Sequence, residues 1–303
     1  PIELKKVDFL LDWVPNTNHT GLFVAKEKGY FAEEGIDLDI KQPANESTSD
    51  LIINNKAPFG IYYQDTMASK LSKGAGITAV AAIIEHNTSG IISPKKNNIT
   101  DPKALEGKKY GTWNDPVELA MIKSLVEKQG GDYNKIELVP NSDSNSITPL
   151  ENGVFDAAWI YYAWDGKLAE SMNLETNFFY LRDFDKKLDY YSPVIIANND
   201  YLKNNKEEAQ KVLRAIKKGY VYAIEHPEEA ADILIKNAPE LKEKRDFVVA
   251  SQKYISQQYA SNKEHWGEFD AERWNAFYRW VNENKIIEKP LADNTGFSND
   301  YIK

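Results

Sequence analysis

Short apolar runs alternate with helix-like segments along the first two thirds of this chain, and then the alternation stops. The spacing predicts strands at Val7–Trp13, Ile36–Gln42, Pro58–Tyr63 and Ile77–Ile84, with helices between them near 19–33, 47–55 and 64–73. A second series follows Gly90-Ile91-Ile92-Ser93. Its strands are expected at Lys109–Trp113, Ile136–Pro140, Ala157–Tyr162 and Phe178–Leu181, with a helix from Pro116 to Gln129 stopped by Gly130-Gly131. One more strand is expected at Pro193–Ala197. From about 205 to 284 the text is helical, with Ala209, Val212, Leu213, Ile216 and Tyr220 on one face. Such alternation implies α/β architecture. A helical tail without strands must pack on a sheet already built. The expected organisation is therefore a discontinuous first lobe, 1–91 plus 194–303, and a second lobe, 92–193. The crossings at 90–94 and 192–197 would form a two-strand hinge. No internal repeat is evident in the residues.

Composition narrows the function classes. At 303 residues the chain exceeds what one core usually serves. Its net charge of −9 disfavours a nucleic-acid backbone or an anionic membrane surface as partner. No apolar run approaches the roughly 18–20 residues that span a bilayer. The polar opening Pro1-Ile2-Glu3-Leu4-Lys5-Lys6 reads as the start of a folded chain and not as a signal peptide. With no cysteine there is no disulfide, thiolate metal site or Cys nucleophile. The sequence has no Gly-x-Gly-x-x-Gly, Walker lysine or Gly-x-Ser-x-Gly. Its four histidines, His19, His86, His226 and His265, fall at no metal-ligand spacing. No catalytic set, metal or cofactor is expected.

Aromatic residues concentrate at expected carboxyl ends of strands, where open α/β sheets bind ligands. Trp13 precedes Pro15, Asn16, Asn18 and His19 in a loop that cannot continue a strand. Tyr63 and Gln64 follow the third strand. His86, Asn87 and Thr88 follow the fourth. In the second series stand Trp113, then Trp159, Tyr162, Trp164 and Asp165, and finally Tyr190 and Tyr191. Two rings around a planar ligand add about 0.5–1.5 kcal/mol per pair beyond burial. Trp266, Trp274 and Trp280, in the helical tail, read as packing residues. Several polar positions have two open readings. Thr17 or Asn18 can cap the following helix. Gln64 can face a pyrimidine edge or begin a helix. Asp115-Pro116-Val117-Glu118 is a helix start, so Glu118 can cap or bind. Asp165 can accept from a ligand amino group or cap the next helix.

The opening run Asp12-Trp13-Val14-Pro15-Asn16-Thr17-Asn18-His19 leads into Lys28-Gly29-Tyr30-Phe31 and Glu34-Gly35-Ile36. With Phe59-Gly60-Ile61, Ile83 to Gly90, Lys108 to Gly111, Asp189-Tyr190-Tyr191 and Pro193 to Ala197, it resembles one superfamily over most of the chain. These are the ABC-importer solute-binding proteins for thiamine pyrimidine precursors, together with the fungal pyrimidine-precursor synthases. The resemblance implies a two-lobed periplasmic-binding-protein fold (type II), with two mixed sheets flanked by helices, that closes about its hinge on a planar nitrogen heterocycle. It implies ABC permease subunits as partners, a monomeric protein, and a location outside the cytoplasm, anchored by a lipid-bearing Cys ahead of the folded part or free in the periplasm. Riboflavin is the alternative ligand. Alkylsulfonate or nitrate would call for cations that the candidate loops almost lack. The synthases carry a pyridoxal-phosphate lysine and a nearby histidine, which align near Tyr62 and Thr66, and a Cys-rich run that here reads Leu188 to Pro193. The resemblance therefore points to binding and away from synthesis.

Overall fold

The β-branched and aromatic runs do become strands. The computed structural model describes residues 3–303; the Pro1-Ile2 opening of the polar run discussed above lies outside the described residues. In chain order the strands are β1 (Lys5–Leu10), β2 (Ile36–Lys41), β3 (Phe59–Tyr62), β4 (Ile77–Ala82), β5 (Ser89–Pro94), β6 (Lys109–Thr112), β7 (Glu137–Pro140), β8 (Ala157–Tyr161), β9 (Thr176–Tyr180) and β10 (Val194–Asn198). They form two sheets, ordered β2-β1-β3-β10-β4 and β7-β6-β8-β5-β9. In each sheet the first three strands are parallel, and the fourth runs antiparallel to both its neighbours. The two sheets thus share one topology, a duplication that the residues alone do not display.

The chain divides into two compact units: 3–86, 190–279 and 287–303 in the first, and 87–189 with 280–286 in the second. One expectation needs correction. Ser89–Pro94 is not a bare crossing but an internal strand of the second sheet, paired with β8 and β9 and buried along its whole length. Likewise β1 ends at Leu10 and not at Trp13. The Leu11 N–H still reaches Lys41 O at 2.8 Å, and the chain then bends through 12–15. The helix expected over 19–33 is two pieces, Thr20–Glu27 and Tyr30–Glu33, separated by Gly29 at φ +79°, a left-handed conformation that only glycine adopts freely.

In the first unit the helices of the tail cover the sheet. Lys206–Glu225 lies against Thr20–Glu27 so closely that a Cβ on Gly219 would stand 2.0 Å from the Gly21 carbonyl. Tyr220 stacks on Trp266 with ring centroids 4.6 Å apart, and Trp266 donates its indole N–H to Ile83 O at 3.0 Å. Trp266 and Trp274 are buried, as packing residues should be, and so is Trp280, which belongs to the 280–286 stretch of the second unit. Fully burying side chains of this kind contributes up to about 3 kcal/mol each. In the second unit, Ile92, Ile147, Leu150, Phe155, Ala158 and Ile160 form the core between the sheet and its helices. Among the described residues no helix is long and apolar enough to cross a membrane.

Candidate functional site

The carboxyl ends of β1, β2 and β3 meet in the first unit. Asp12 and Trp13 follow β1, Gln42 and Pro43 follow β2, and Tyr62 and Tyr63 close β3. With Glu46 to Ser49 and Ile61 they line a pocket of about 300 Å³. Trp13 is 46% exposed, unusual for an indole, and presents its ring beside this space. The Tyr62 and Tyr63 rings lie 5.7 Å apart at 41°. Among the described residues lining the pocket, Asp12 and Glu46 are the charged groups, and no Lys or Arg is present. The pocket suits hydrogen-bond donors on a flat ring and repels anions.

Asp12 is the residue that sequence reasoning missed. His19 is fully buried. Its Nδ1 accepts from the Asn16 N–H at 3.2 Å, which leaves the ring proton on Nε2, donated to Asp12 Oδ1 at 2.7 Å. The Tyr63 hydroxyl donates to Asp12 Oδ2. Burial pushes the Asp12 carboxyl up, but the hydrogen bonds from His19 and Tyr63 outweigh it, so the group is held below its ordinary range. It is a fixed, ionised acceptor with lone pairs to spare. Tyr63, having given its proton to Asp12, can accept a hydrogen bond in turn. A signal existed: an acid next to the loop tryptophan, seven residues before a histidine. Its partner Tyr63 is 51 residues away and could not be read locally.

His19 and Asn16 therefore belong behind the pocket and not in it. Asn16 turns the loop, accepting from the Asn18 N–H at 2.9 Å and donating to Val14 O at 2.9 Å. Neither Thr17 nor Asn18 caps the helix. His19 occupies that position with no side-chain cap bond. Thr17 instead shares a hydrogen bond with Ser251 at 2.8 Å.

Other candidates fall in the packed interior. Gln64 is fully buried; its amide donates to Trp274 O at 3.0 Å and accepts from the Tyr191 N–H at 2.9 Å. Tyr190 and Tyr191 are buried too. Tyr190 packs on Phe277, while Tyr191 packs on Phe269 and Trp274 and carries the Arg273 guanidinium 4.0 Å above its ring. These rings hold the core because apolar and cationic neighbours already cover them. His86 lines a different pocket of the first unit, of about 540 Å³, where its Nδ1 lies 3.2 Å from Arg273.

In the second unit, Asn87 is buried and spent on backbone and neighbour: it donates to Leu188 O at 2.8 Å and accepts from the Ser89 N–H and hydroxyl. Thr88 is buried with its hydroxyl oxygen unpartnered. Glu118 is buried between the Tyr110 hydroxyl and that of Thr112, 2.9 Å away; burial raises its carboxyl above the usual range despite these donors. The helix cap is Asp115, which accepts from the Val117 and Glu118 N–H groups. Tyr162 donates to Glu170 at 2.7 Å. Trp113 is 46% exposed after β6. Trp159 and Trp164 are half-buried, and Trp159 contacts Tyr161 at 5.4 Å, as alternation along β8 requires. The Trp159 indole nitrogen has no partner. Asp165, half-buried after β8, is pushed up to about 6 by burial, against hydrogen bonds from the Ser146 N–H and hydroxyl.

A family model described as "NMT1/THI5 like" matches residues 16–230. The formylaminopyrimidine-binding protein of Halalkalibacterium halodurans is 26% identical over 298 residues, 97% of this chain and 90% of that one. The 4-amino-5-hydroxymethyl-2-methylpyrimidine phosphate synthase THI5 of Saccharomyces cerevisiae is 29% identical over 248 residues, 78% of this chain and 72% of that one. Among solved structures, the alkanesulfonate-binding protein SsuA of Xanthomonas axonopodis pv. citri superposes with a TM-score of 0.72 at 12% identity, over 98% of this chain and 99% of that one. At that identity the likeness concerns fold: α/β, with two mixed sheets flanked by helices, as in periplasmic solute-binding proteins.

Proposed function

This chain belongs to the NMT1/THI5-like family, and from that premise we propose that it is the extracytoplasmic solute-binding protein of an ABC importer, with an aminopyrimidine of the thiamine-precursor type as ligand. One observation carries the ligand class: a half-exposed indole, Trp13, stands beside a carboxylate, Asp12, that His19 and Tyr63 hold ionised. The indole offers a face for an aromatic ring, and the carboxylate accepts from a ring amino group. Leaving such a donor without a partner on burial costs about 1–3 kcal/mol, so the pair selects as well as binds. The similarity to a formylaminopyrimidine-binding protein over nearly the whole chain supports the same reading. Lipid anchoring at the outer face of the membrane, action as a monomer, and delivery to permease subunits complete it.

Capture and not synthesis is the activity. Tyr62, in the position that resemblance assigns to the cofactor lysine of the synthases, lines the pocket and has no amine to form a Schiff base. Thr66, in the histidine position, donates its hydroxyl to Tyr63 O at 3.3 Å. Two measurements test the reading. Calorimetric titration is expected to show one-to-one binding of 4-amino-5-hydroxymethyl-2-methylpyrimidine or its formylamino relative, and none of an alkanesulfonate. The reverse pattern would overturn the ligand class. Incubation with pyridoxal phosphate, borohydride reduction and peptide mapping should leave no stoichiometric lysine adduct; such an adduct, at one site, would restore the enzyme reading.

A further inference from the structure

Asp12 is ionised without a countercharge. His19 Nδ1 accepts from the Asn16 N–H, so the ring that donates to Asp12 Oδ1 is neutral, and the second oxygen is served by the neutral Tyr63 hydroxyl. These donors favour the charge but do not cancel it. The Asp12 side chain is only 10% exposed, so water and salt screen it far less than a surface carboxylate. A second carboxylate, Glu46, lines the same pocket. It enters no hydrogen bond or ion pair among the described residues. The cations of the surrounding elements are committed elsewhere. Lys41, the last residue of β2, pairs with Asp8 at 3.2 Å and with Asp39 at 3.6 Å. Lys6 pairs with Asp39 at 3.3 Å, and Lys70 with Asp50 at 2.9 Å. The lining therefore holds two carboxylates and, among the described residues, no Lys or Arg to balance them.

The remainder of the lining is largely aromatic. Trp13 is half-exposed beside the space, and Tyr62 and Tyr63 are half-buried against it. The face of an aromatic ring carries the negative part of its quadrupole and attracts a cation, an indole most of all. Rings and carboxylates thus favour the same sign of charge. A neutral heterocycle would stack on Trp13 and satisfy Asp12 through its amino group. It would leave the negative potential of the pocket unanswered. A heterocycle that also carries an ammonium group would use all of it.

We propose that the Trp13 pocket takes its aminopyrimidine as a cation, with a protonated aminomethyl group at C5 held by the Glu46 carboxylate and the aromatic rings, and ranks this amine above its neutral hydroxymethyl and formylaminomethyl analogues. This rests on the aminopyrimidine reading above and supplies what that reading leaves open, the charge of the ligand. The ring amino group still donates to Asp12. The ammonium adds a charge-assisted contact that a hydroxyl or a formamide cannot make. Formylation turns the amine into an amide, which carries no charge at neutral pH.

The test is calorimetric titration of the full chain and its Glu46→Gln variant with 4-amino-5-aminomethyl-2-methylpyrimidine and with its 5-hydroxymethyl and N-formyl counterparts. The unaltered protein should bind the amine about tenfold or more tightly than either neutral compound, the factor that 1.4 kcal/mol gives. Glu46 is exposed, so the variant should fold as the unaltered chain does. Glu46→Gln keeps the length of the side chain and removes its charge. It should weaken the amine several-fold and leave both neutral compounds nearly where they were, whereas a merely structural role would move all three together. Raising salt from about 0.05 to about 0.5 M reads the same charge without a variant, and should narrow the lead of the amine. Neutral compounds that bind as tightly as the amine, a lead that Glu46→Gln leaves intact, or one that salt does not narrow, overturns the proposal and leaves the proposed function standing. If the unaltered protein binds none of the three, the aminopyrimidine reading itself falls, and this inference with it.

Discussion

On the proposed function, replacing Trp13 should cost much affinity and little stability. Its ring is half-exposed in a bend past the end of β1. Replacing it with Ala removes ring burial worth a couple of kcal/mol at roughly 25 cal/mol per Å², and about 1 kcal/mol of stacking. At tenfold per 1.4 kcal/mol, the ligand should bind about two decades more weakly while the ligand-free melting temperature barely moves. Calorimetry and apo melting check both halves, and a variant that melts early but binds normally would make Trp13 a packing residue. Asp12 behaves differently. Asp12→Asn keeps the shape but removes the charge-assisted acceptor, and its amide must turn N–H groups toward donors that already fill the space. Affinity should fall at least tenfold, with hydrogen bonds to charged groups worth about 1.5–3 kcal/mol. Apo stability at neutral pH should fall as well, because a carboxyl held below its ordinary range by His19 and Tyr63 stabilises the fold while ionised. Unchanged affinity in that variant would remove Asp12 from the site.

At the scale of elements, Gln64 opens the helix Gln64–Ser72 and fastens it to two distant backbones, Trp274 O and the Tyr191 N–H. Gln64→Ala would leave the Tyr191 N–H buried without a partner, at about 1–3 kcal/mol, and would take from Trp274 O the second of its bonds, since that carbonyl keeps its place in the helix Ala271–Glu283. A loss of about 1–3 kcal/mol in chemical denaturation is expected, with ligand affinity of the folded fraction nearly intact. Lost affinity at full stability would return Gln64 to the binding surface. The same residue shows where reading the sequence ends. Its partners lie 127 and 210 positions away, so an amide after a strand looks the same whether it faces ligand or core. Strand β5 was hidden for a related reason. Flanked on both sides by antiparallel partners, it buries Ser89 and Ser93 along with its isoleucines, and its text shows no alternation to betray a strand. By contrast, local periodicity made β2, β3, β6 and β8 legible to within a residue at each end, whereas β1 was legible as a strand but the breakers Pro15 and Asn16 put its end at Trp13, three residues beyond Leu10. The Asp115 cap was legible too, since it needs only the residues beside it.

Across the whole molecule the two units should answer acid in opposite directions. In the second unit Asp165 is pushed up to about 6 by burial, against about 3.9 for an unfolded aspartate. Between those values the folded chain binds more protons than the unfolded one, so acidification from pH 6 toward 4 stabilises that unit. Glu118, raised by burial as well, adds in the same sense. In the first unit Asp12 is held below its ordinary range by His19 and Tyr63, and Glu34 by Arg214. For these groups the unfolded chain takes up protons first, so their contribution is intact above the unfolded values and is lost as pH falls below about 4. Hydrogen exchange resolved by peptide, corrected for intrinsic rates, should show protection in β6, β7 and β8 rising between pH 7 and 4.5 while that in β1, β2 and β3 holds. Below about pH 4 the first unit should open ahead of the second. Asp165→Asn should remove most of the gain in the second unit and leave the first untouched. A uniform loss of protection across both sheets from pH 6 downward would mean that Asp165 is solvated in the folded chain and that burial does not raise its carboxyl there.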